Sequence, residues 1–413
     1  MATGIASMAW RNLWRNRRRT IVTLSSIAFG MMLAVLFTGI GDANFSQMID
    51  LAARMGGGHV TLQHPEYLEA PTFSRTVANA ATLRDRMLDD PAIDRATLRI
   101  MGNVMVASAE QTQGAGFIAF DPAQEDTDTL SILEAVDAGE LFEAADSRGI
   151  VLGARLAEKL GVGVGRKIVY TLTDKNGEIV QEAARVIGLI RTGAPSVDSA
   201  LCLLPLERVR SLLGYGPDEV LQVALFLRDQ RAAEDVAERL GSEVAPAAAV
   251  PWYENQPELS GFITMKVVSA RIMEVVIMLL VAAGIFNTLF VSVMERVREF
   301  GIMIAIGFSP GKLFALVMCE SLWLAILGLV LGAVVTAGPY FYLSEVGVDI
   351  ASQLELTGTE VAGVAVSTMM HAGIYLDHLA AIVAAALAAV LLSGLYPAWS
   401  AGHVEPVESI RVV

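Results

Sequence analysis

The feature that most constrains this chain is a set of long apolar segments separated by polar sequence. Residues 20–40 form a 21-residue run without a charged side chain. A helix rises about 1.5 Å per residue, so this run is long enough to cross the roughly 30 Å hydrocarbon core of a bilayer. Similar segments cover residues 275–294, 313–343 (interrupted by Glu320) and 379–399. The sequence therefore predicts a membrane protein with four transmembrane α-helices in a 1+3 arrangement.

The long insertion after the first apolar segment has a different composition. The 413-residue chain is 54% hydrophobic and carries a formal net charge of −14, yet residues 42–266 contain 33 acidic and 20 basic residues. Nearly all of the net negative charge therefore lies in the insertion. The chain has only 30 basic residues in all, and those outside the insertion lie beside apolar segments, so no nucleic-acid partner is expected.

Basic residues near the ends of the apolar segments predict the orientation. Arginines are concentrated before the first segment, and further basic residues lie between the second and third, whereas residues 344–378 contain no Lys or Arg. By the positive-inside rule both termini are cytoplasmic and the insertion is extracytoplasmic. A cleaved signal peptide ending near Gly41 is the alternative, but its apolar region would be shorter than residues 21–40. A retained anchor is therefore favoured.

These observations predict nine successive segments. They are a basic cytoplasmic segment (1–19), span one (20–41), the extracytoplasmic domain (42–266), span two (267–294), a cytoplasmic loop (295–312), span three (313–343), an extracytoplasmic loop (344–378), span four (379–399) and a cytoplasmic tail (400–413). In this topology Cys202 lies in the extracytoplasmic domain and Cys319 lies in span three near its cytoplasmic side, so no intrachain disulfide is expected.

The extracytoplasmic domain reads as a mixed α+β fold. Strands are predicted at 58–63, 96–107 and 220–227, with helices at 79–88, 153–160 and 231–240. Residues 167–173 and 179–190 predict a hairpin around Asn176-Gly177, since Gly supplies positive φ readily. Gly161 is expected to end the helix before it in a left-handed conformation.

No segment of the chain indicates a reaction centre. The insertion contains two histidines, His59 and His64, without the cluster that a metal site needs. Residues 161–165 are glycine-rich but precede a predicted strand, which indicates a turn. Residues 307–311 match G-x-S-x-G, yet Pro310 follows Ser309 and predicts a helix start. The spacing to Lys312 also fails the phosphate-loop pattern, so a non-catalytic chain is predicted.

Two segments beside the predicted spans carry a family resemblance. Residues 294–307 read MERVREFGIMIAIG, and residues 396–411 read YPAWSAGHVEPVESIR. Together with the 1+3 order they resemble MacB/FtsX-type ABC transporter permeases, and the size is most similar to the stand-alone lipoprotein-releasing permeases (LolC and LolE). The resemblance implies a separate ABC ATPase dimer that holds ATP and Mg, and no cofactor in this chain. It also implies a second permease copy or homologue, a bacterial inner-membrane location within membrane lipid, and a lipoprotein or other envelope cargo.

The resemblance identifies the helix after span two as the coupling helix that docks on the ATPase. By position, the contact residues are Glu295, Arg296, Arg298, Glu299 and Gly301. The simpler alternative is that the two arginines only anchor the inner end of the span. The mixed charges favour docking, since topology alone needs only positive ones.

Three charged residues and two glycines within the spans are further candidates. Arg271 and Glu274 have the i,i+3 spacing of a helical pair, and the resemblance places them where cargo enters from the lipid. Glu320 lies near the inner end of span three, with Asn287, a second subunit or the lipid interface as its expected surroundings. Gly328 and Gly332 form a G-x-x-x-G pattern, which predicts a close helix contact.

The leading hypothesis is therefore a permease subunit that transmits ATPase motion to its extracytoplasmic domain, most simply for lipoprotein release. Efflux of drugs or peptides with a periplasmic adaptor is one alternative. A signalling scaffold that controls a cell-wall hydrolase is another, although such scaffolds have smaller outer domains. A membrane-anchored sensor without an ATPase is the remaining hypothesis.

Overall fold

Four helices in the computed structural model are long and apolar enough to cross a membrane, within the residues that the structure describes (2–349, 360–361, 364–365 and 369–403). Each of them contains one of the four apolar segments. The helices are α1 (Ala2–Arg15), α2 (Arg17–Met55), α3 (Ala80–Leu88), α4 (Ala154–Leu160), α5 (Pro195–Ala200), α6 (Leu206–Leu212), α7 (Ala233–Gly241), α8 (Trp252–Asn255), α9 (Pro257–Glu295), α10 (Val297–Ala305), α11 (Pro310–Glu345) and α12 (Leu376–Gly402).

The strands are short except for two in the insertion. They are β1 (Val60–Gln63), β2 (Val77–Ala78), β3 (Ile93–Ala107), β4 (Thr112–Phe120), β5 (Val136–Gly139), β6 (Gly149–Gly153), β7 (Lys167–Thr173), β8 (Ile179–Ile190), β9 (Leu201–Pro205), β10 (Glu219–Val220), β11 (Gln222–Leu227), β12 (Ala248–Pro251), β13 (Val348–Asp349), β14 (Glu360–Val361), β15 (Val364–Ala365) and β16 (Met369–Met370). Short 3-10 helices cover Ser131–Ala135 and Gln230–Ala232.

The chain divides into two compact units. Among the described residues, the helical unit comprises 2–44, 264–349 and 369–403, and the sheet unit comprises 45–263, 360–361 and 364–365. Helices α2 and α9 each contribute residues to both units.

In the helical unit, α11 packs closely against α2. A Cβ atom built on Gly328 would lie 2.7 Å from the Ile27 side chain, and one on Gly332 would lie 2.8 Å from the Met31 sulfur. Only glycine permits this approach, which confirms the contact that the G-x-x-x-G pattern predicted. Helix α9 differs from its neighbours, because only 11% of its most apolar window is buried, against 50% for α2. Its apolar face is therefore free for lipid or another chain.

The sheet unit is built on a ten-stranded mixed sheet. Its strand order is β12-β1-β11-β3-β4-β9-β6-β8-β5, and β7 pairs with both β3 and β8. Helices α3, α4, α6 and α7 bury apolar side chains against the sheet in one large core. This is the mixed α+β fold that the alternation of short strands and helices predicted.

Several local predictions are confirmed within the sheet unit. The predicted hairpin is β7–β8, with Gly177 at φ 88° and the Asp174 carboxylate accepting from the Asn176 and Glu178 amides. Gly161 ends α4 at φ 66°. The glycine-rich segment 161–165 leads into strand β7, as a structural turn does.

The helices that enter the sheet unit are longer than the apolar segments. Helix α2 continues to Met55, and α9 begins at Pro257. The added turns are amphipathic: Met48 and Ala52 of α2 and Leu259 of α9 are buried in the sheet-unit core. The sequence predicted these helices from their apolar segments, and both helices extend beyond those segments.

Two smaller predictions differ from the structure. The strand predicted at 220–227 is divided into β10 and β11, which pair with different partners. The helix predicted at 231–240 begins as a 3-10 turn, with Asp229 capping the Arg231 amide, before α7 starts at Ala233. Both differences arise from local hydrogen bonds, which cannot be predicted from the spacing of hydrophobic residues.

Candidate functional site: a coupling helix and its ion pairs

The site residues predicted after span two lie on or beside α10, a nine-residue helix of the helical unit. Arg296 is the residue before its first turn, and Phe300 and Gly301 on its inner face are buried. The segment after α10 is a turn: Gly307 has φ 97°, and Ser309 precedes Pro310 at the start of α11. The G-x-S-x-G match is therefore a helix-to-helix connection, as its proline predicted.

A carboxylate of α11 joins this helix to two others. One side-chain nitrogen of Arg296, Nη1, donates to both oxygens of Glu320 at 3.0 Å. The Asn12 amide on α1 donates to Glu320 Oε1 at 2.7 Å. The Glu320 side chain is 9% exposed and that of Arg296 is 11% exposed. Because both charges are largely withdrawn from water, each depends on the other for neutralisation.

Two further arginines connect the N-terminal helices to the same region. Arg15 forms an ion pair with Glu299 at 2.5 Å, and Arg19 forms one with Glu295. Arg296 Nε also donates to Glu299 at 3.2 Å. Burial acts to raise the pKa of Glu299, but the hydrogen bonds from Arg15 and Arg296 outweigh it and hold the pKa below its usual value. Glu299 is therefore ionised at neutral pH.

The five predicted docking residues thus differ in exposure. Glu295 and Arg298 are exposed, Glu299 is half-buried, and Arg296 and Gly301 face the protein interior. Among the described residues, no side-chain hydrogen bond or ion pair is found for Arg298. Arg298 is therefore the member of the set whose charge is available to another chain, while Arg296 and Glu299 form ion pairs that hold α10 in place.

Sequence reasoning missed the residues of α1 and α2 in this network. It assigned their arginines to membrane topology alone, although Asn12, Arg15 and Arg19 have the i, i+3, i+7 spacing of one helix face. Of the three surroundings expected for Glu320, the Asn287 alternative was wrong, because Asn287 is exposed and Glu320 binds Arg296 and Asn12.

A polar cavity of about 260 Å³ lies beside this network. Its lining includes the side chains of Asn12, Asn16, Arg19, Thr23, Thr288, Ser292, Arg296 and Glu320. Arg296 Nη2 is buried and has no hydrogen-bond partner among the described residues. A cavity of this size and polarity can hold several water molecules, which can hydrogen-bond the polar groups that line it.

The other predicted pair within a span is present. Arg271 and Glu274 on α9 approach to 3.5 Å with the predicted i,i+3 spacing, and the Arg271 side chain is 51% exposed. The Glu274 side chain is only 15% exposed. The accessible charge of this pair on the sparsely covered helix α9 is therefore that of Arg271.

The opposite end of the helical unit has its own polar contacts. His378 on α12 hydrogen-bonds both oxygens of Asp42 on α2, at 2.9 and 2.8 Å. Residues 372–375 donate backbone hydrogen bonds to Leu343, Gly39, Tyr340 and Asp42. Residues 372–375 therefore connect α2 and α11 to the start of α12. The predicted extracytoplasmic loop lies partly, and the tail after His403 entirely, outside the described residues.

Nothing in the described part of the chain resembles a catalytic or metal centre. No group of three or more His, Cys, Asp or Glu side chains could hold a metal ion there. His59 is buried and accepts a hydrogen bond from the Leu227 amide through Nδ1, as a structural histidine does. Both cysteines are free. Burial raises the pKa of the Cys202 thiol, which makes it unreactive.

Comparison with known proteins gives two family matches that together cover most of the chain. Residues 20–243 match the MacB-like periplasmic core domain, and residues 271–406 match the FtsX-like permease C-terminal domain. The first match alone spans more than half of the chain.

The similar curated proteins are membrane components of transport systems. The lipoprotein-releasing system transmembrane protein LolC of Xylella fastidiosa is 25% identical over 93% of this chain and 94% of its own length. LolE of Haemophilus influenzae is 23% identical over 97% of each chain. The macrolide export ATP-binding/permease protein MacB of Nitrobacter winogradskyi is 24% identical, over 81% of this chain but 52% of MacB.

Proposed function

Because the chain belongs to the family of MacB-like and FtsX-like ABC transporter permeases, we propose that it is the membrane subunit of an ATP-driven lipoprotein-releasing complex. The observation that carries this proposal is the similarity to LolC and LolE over nearly the whole length of all three chains. The proposed cargo is an acylated envelope protein, and the proposed location is the bacterial inner membrane with both termini cytoplasmic.

ATP binding and hydrolysis, with Mg, are assigned to a separate ABC ATPase dimer. Support comes from MacB, whose name includes an ATP-binding part and of which this chain matches about half. Within this chain, the proposed docking segment is α10 and the residues before it, with Glu295, Arg296, Arg298, Glu299 and Gly301. Arg298 supplies the unpaired exposed charge, the ion pairs of Arg296 and Glu299 hold α10 in place, and Gly301 lies on its buried face.

A second permease chain is part of the proposal. The exposed apolar face of α9 supports it, since four helices leave most of this face uncovered. Arg271 and Glu274 lie on the same helix, and we assign them to the lipid-side opening for cargo. Movement of the docked ATPase would displace α10, and the continuous helices α2 and α9 would carry this motion into the sheet unit.

The direct test is co-purification of the complex with a partner ATPase, followed by mass spectrometry of the retained material. Under conditions that block ATP turnover, we expect acylated proteins to be retained. Their consistent absence would overturn the cargo assignment. Reversal of the exposed charge in Arg298→Glu is expected to weaken ATPase binding, whereas Arg228→Glu, on the sheet unit, is the control with equal charge change.

Efflux with a periplasmic adaptor is the second candidate, favoured by the similarity to MacB. It predicts that an adaptor protein is retained in place of acylated cargo. A sensor without an ATPase predicts that no ATPase is retained and that Arg298→Glu has no effect.

A further inference from the structure

The role of Glu320 follows from comparing the two carboxylates of α11. This helix carries Glu320 near its first turns and Glu345 at its last residue. Glu345 is exposed, whereas Glu320 is 7% exposed and lies in the apolar part of the helix. An ionised carboxylate in such surroundings is costly unless it is paired, and residues of this kind within spans usually have a function.

The hydrogen bonds found for Glu320 all lead to residues outside α11. Asn12 belongs to α1, and Arg296 is the residue immediately before α10. Glu320 is thus the point at which α1, α10 and α11 meet through side-chain bonds. No other carboxylate among the described residues connects three helices of the helical unit.

Arg296 immediately precedes α10, and its side chain packs against the first turn of that helix. Its guanidinium lies 5.0 Å from the centre of the Phe300 ring, and Phe300 is fully buried in a cluster with Leu313, Val317 and Ala401. The second ion pair of Arg296, with Glu299, lies within α10 itself. In the described structure, Glu320 is therefore the only charged group outside α10 that fixes the Arg296 side chain.

We propose that Glu320 is a positioning residue for ATPase coupling: through Arg296 and Asn12 it holds α10 and α1 against α11, so that displacement of α10 is passed to α11. This inference rests on the proposed function for the identity of the docking partner. The Glu320 bonds that join the three helices form without a partner protein, so their effect can be measured in the chain alone.

The first experiment measures amide hydrogen exchange of the full chain in lipid nanodiscs. Glu320→Leu removes the carboxylate and strands Arg296, so exchange in Val297–Ala305 is expected to rise by at least about tenfold. Glu320→Asp keeps the charge and is expected to show a smaller rise. Glu345→Leu, the same substitution on the same helix, is the matched control and should leave this segment unchanged. Equal exchange in the Glu320→Leu and Glu345→Leu chains would overturn the proposal.

The second experiment separates positioning from a purely structural pair. In the complex with the ATPase, Glu320→Leu is expected to keep the ATPase bound but to release at least about tenfold less cargo per ATP hydrolysed, with rescue by Glu320→Asp. Faster exchange in α10 with unchanged cargo release per ATP would overturn the coupling role. If the wild-type chain retains no ATPase, the proposed function fails. Protection of α10 by Glu320 in the exchange experiment would still be established as a property of the chain.

Discussion

Replacing Glu125 by leucine is expected to destabilise the sheet unit strongly. Both Glu125 and Arg99 have fully buried side chains, and Arg99 Nε and Nη2 donate to the two Glu125 oxygens at 2.7 and 2.9 Å. Arg99 also donates to the Thr129 carbonyl at 2.7 Å and to that of Gly56. In the Glu125→Leu chain these carbonyls remain, but the guanidinium charge has no carboxylate.

The expected cost follows from the burial of this pair. Removing one member of a buried ion pair costs about 3–5 kcal/mol. Because Arg99 keeps its two bonds to carbonyl groups, we expect the lower end of this range, about 3 kcal/mol. At 1.36 kcal/mol per factor of ten, this cost corresponds to a roughly 150-fold larger unfolded fraction. The control is Asp137→Leu, since its pair with Arg191 is about half exposed. Exposed pairs contribute about 0–1 kcal/mol, so the control should change the unfolded fraction less than about sixfold.

The thiol of Cys202 provides the assay. Cys202 is fully buried on β9 of the sheet unit, so a maleimide reacts with it only when this unit opens. Labelling rates are compared in the full chain with Cys319 replaced by alanine. A Glu125→Leu rate within about tenfold of the parent, or equal to that of Asp137→Leu, would refute the reasoning. The double variant Arg99→Met/Glu125→Leu should recover part of the loss, because it removes the stranded charge.

Three further predictions follow from contacts in one unit each. Gly328→Leu should disrupt packing of α11 on α2 and lower the melting temperature, whereas Gly338→Leu, with open space at its Cβ, should not. Burial acts to raise the pKa of Glu219, but hydrogen bonds outweigh this effect and hold the pKa below its usual value. The ionised Glu219 carboxylate therefore stabilises the fold at neutral pH, and this stabilisation is lost as pH falls below about 4. Glu219→Gln should accordingly make the unfolding free energy less dependent on pH in the acid range. His378→Gln should raise amide exchange in residues 372–375 by weakening the bond to Asp42.

The sequence predicted those parts of the fold that depend on neighbouring residues. Four apolar segments identified the four long helices, because the bilayer-length run is a local property. The β7–β8 hairpin followed from Asn176-Gly177 between two alternating strands, and the end of α4 followed from Gly161. The turn at Ser309-Pro310 was also predictable, since proline is favoured in the first turn of a helix.

The partners of the charged residues could not be predicted in the same way. Asn12 and Glu320 are 308 residues apart, and Arg15 and Glu299 are 284 apart. Pairing at such separations depends on which helix faces meet, which periodicity does not determine. Arg296 and Gly301 were chosen as docking residues from a motif, and the motif does not distinguish an exposed side chain from one that faces the interior.

The two buried ion pairs place an arginine at a helix terminus in each unit. Arg99 donates to the carbonyl of Gly56, the residue after α2 ends, and Arg296 lies immediately before α10 begins. Apolar replacements of equal volume would often be as stable as such pairs, so stability alone does not account for them. What a directional ion pair adds is a defined position for the helix end, because the guanidinium bonds are lost when the terminus shifts. A chain that transmits motion through helices requires such fixed ends, and this requirement connects Arg99 and Glu320 to the proposed mechanism.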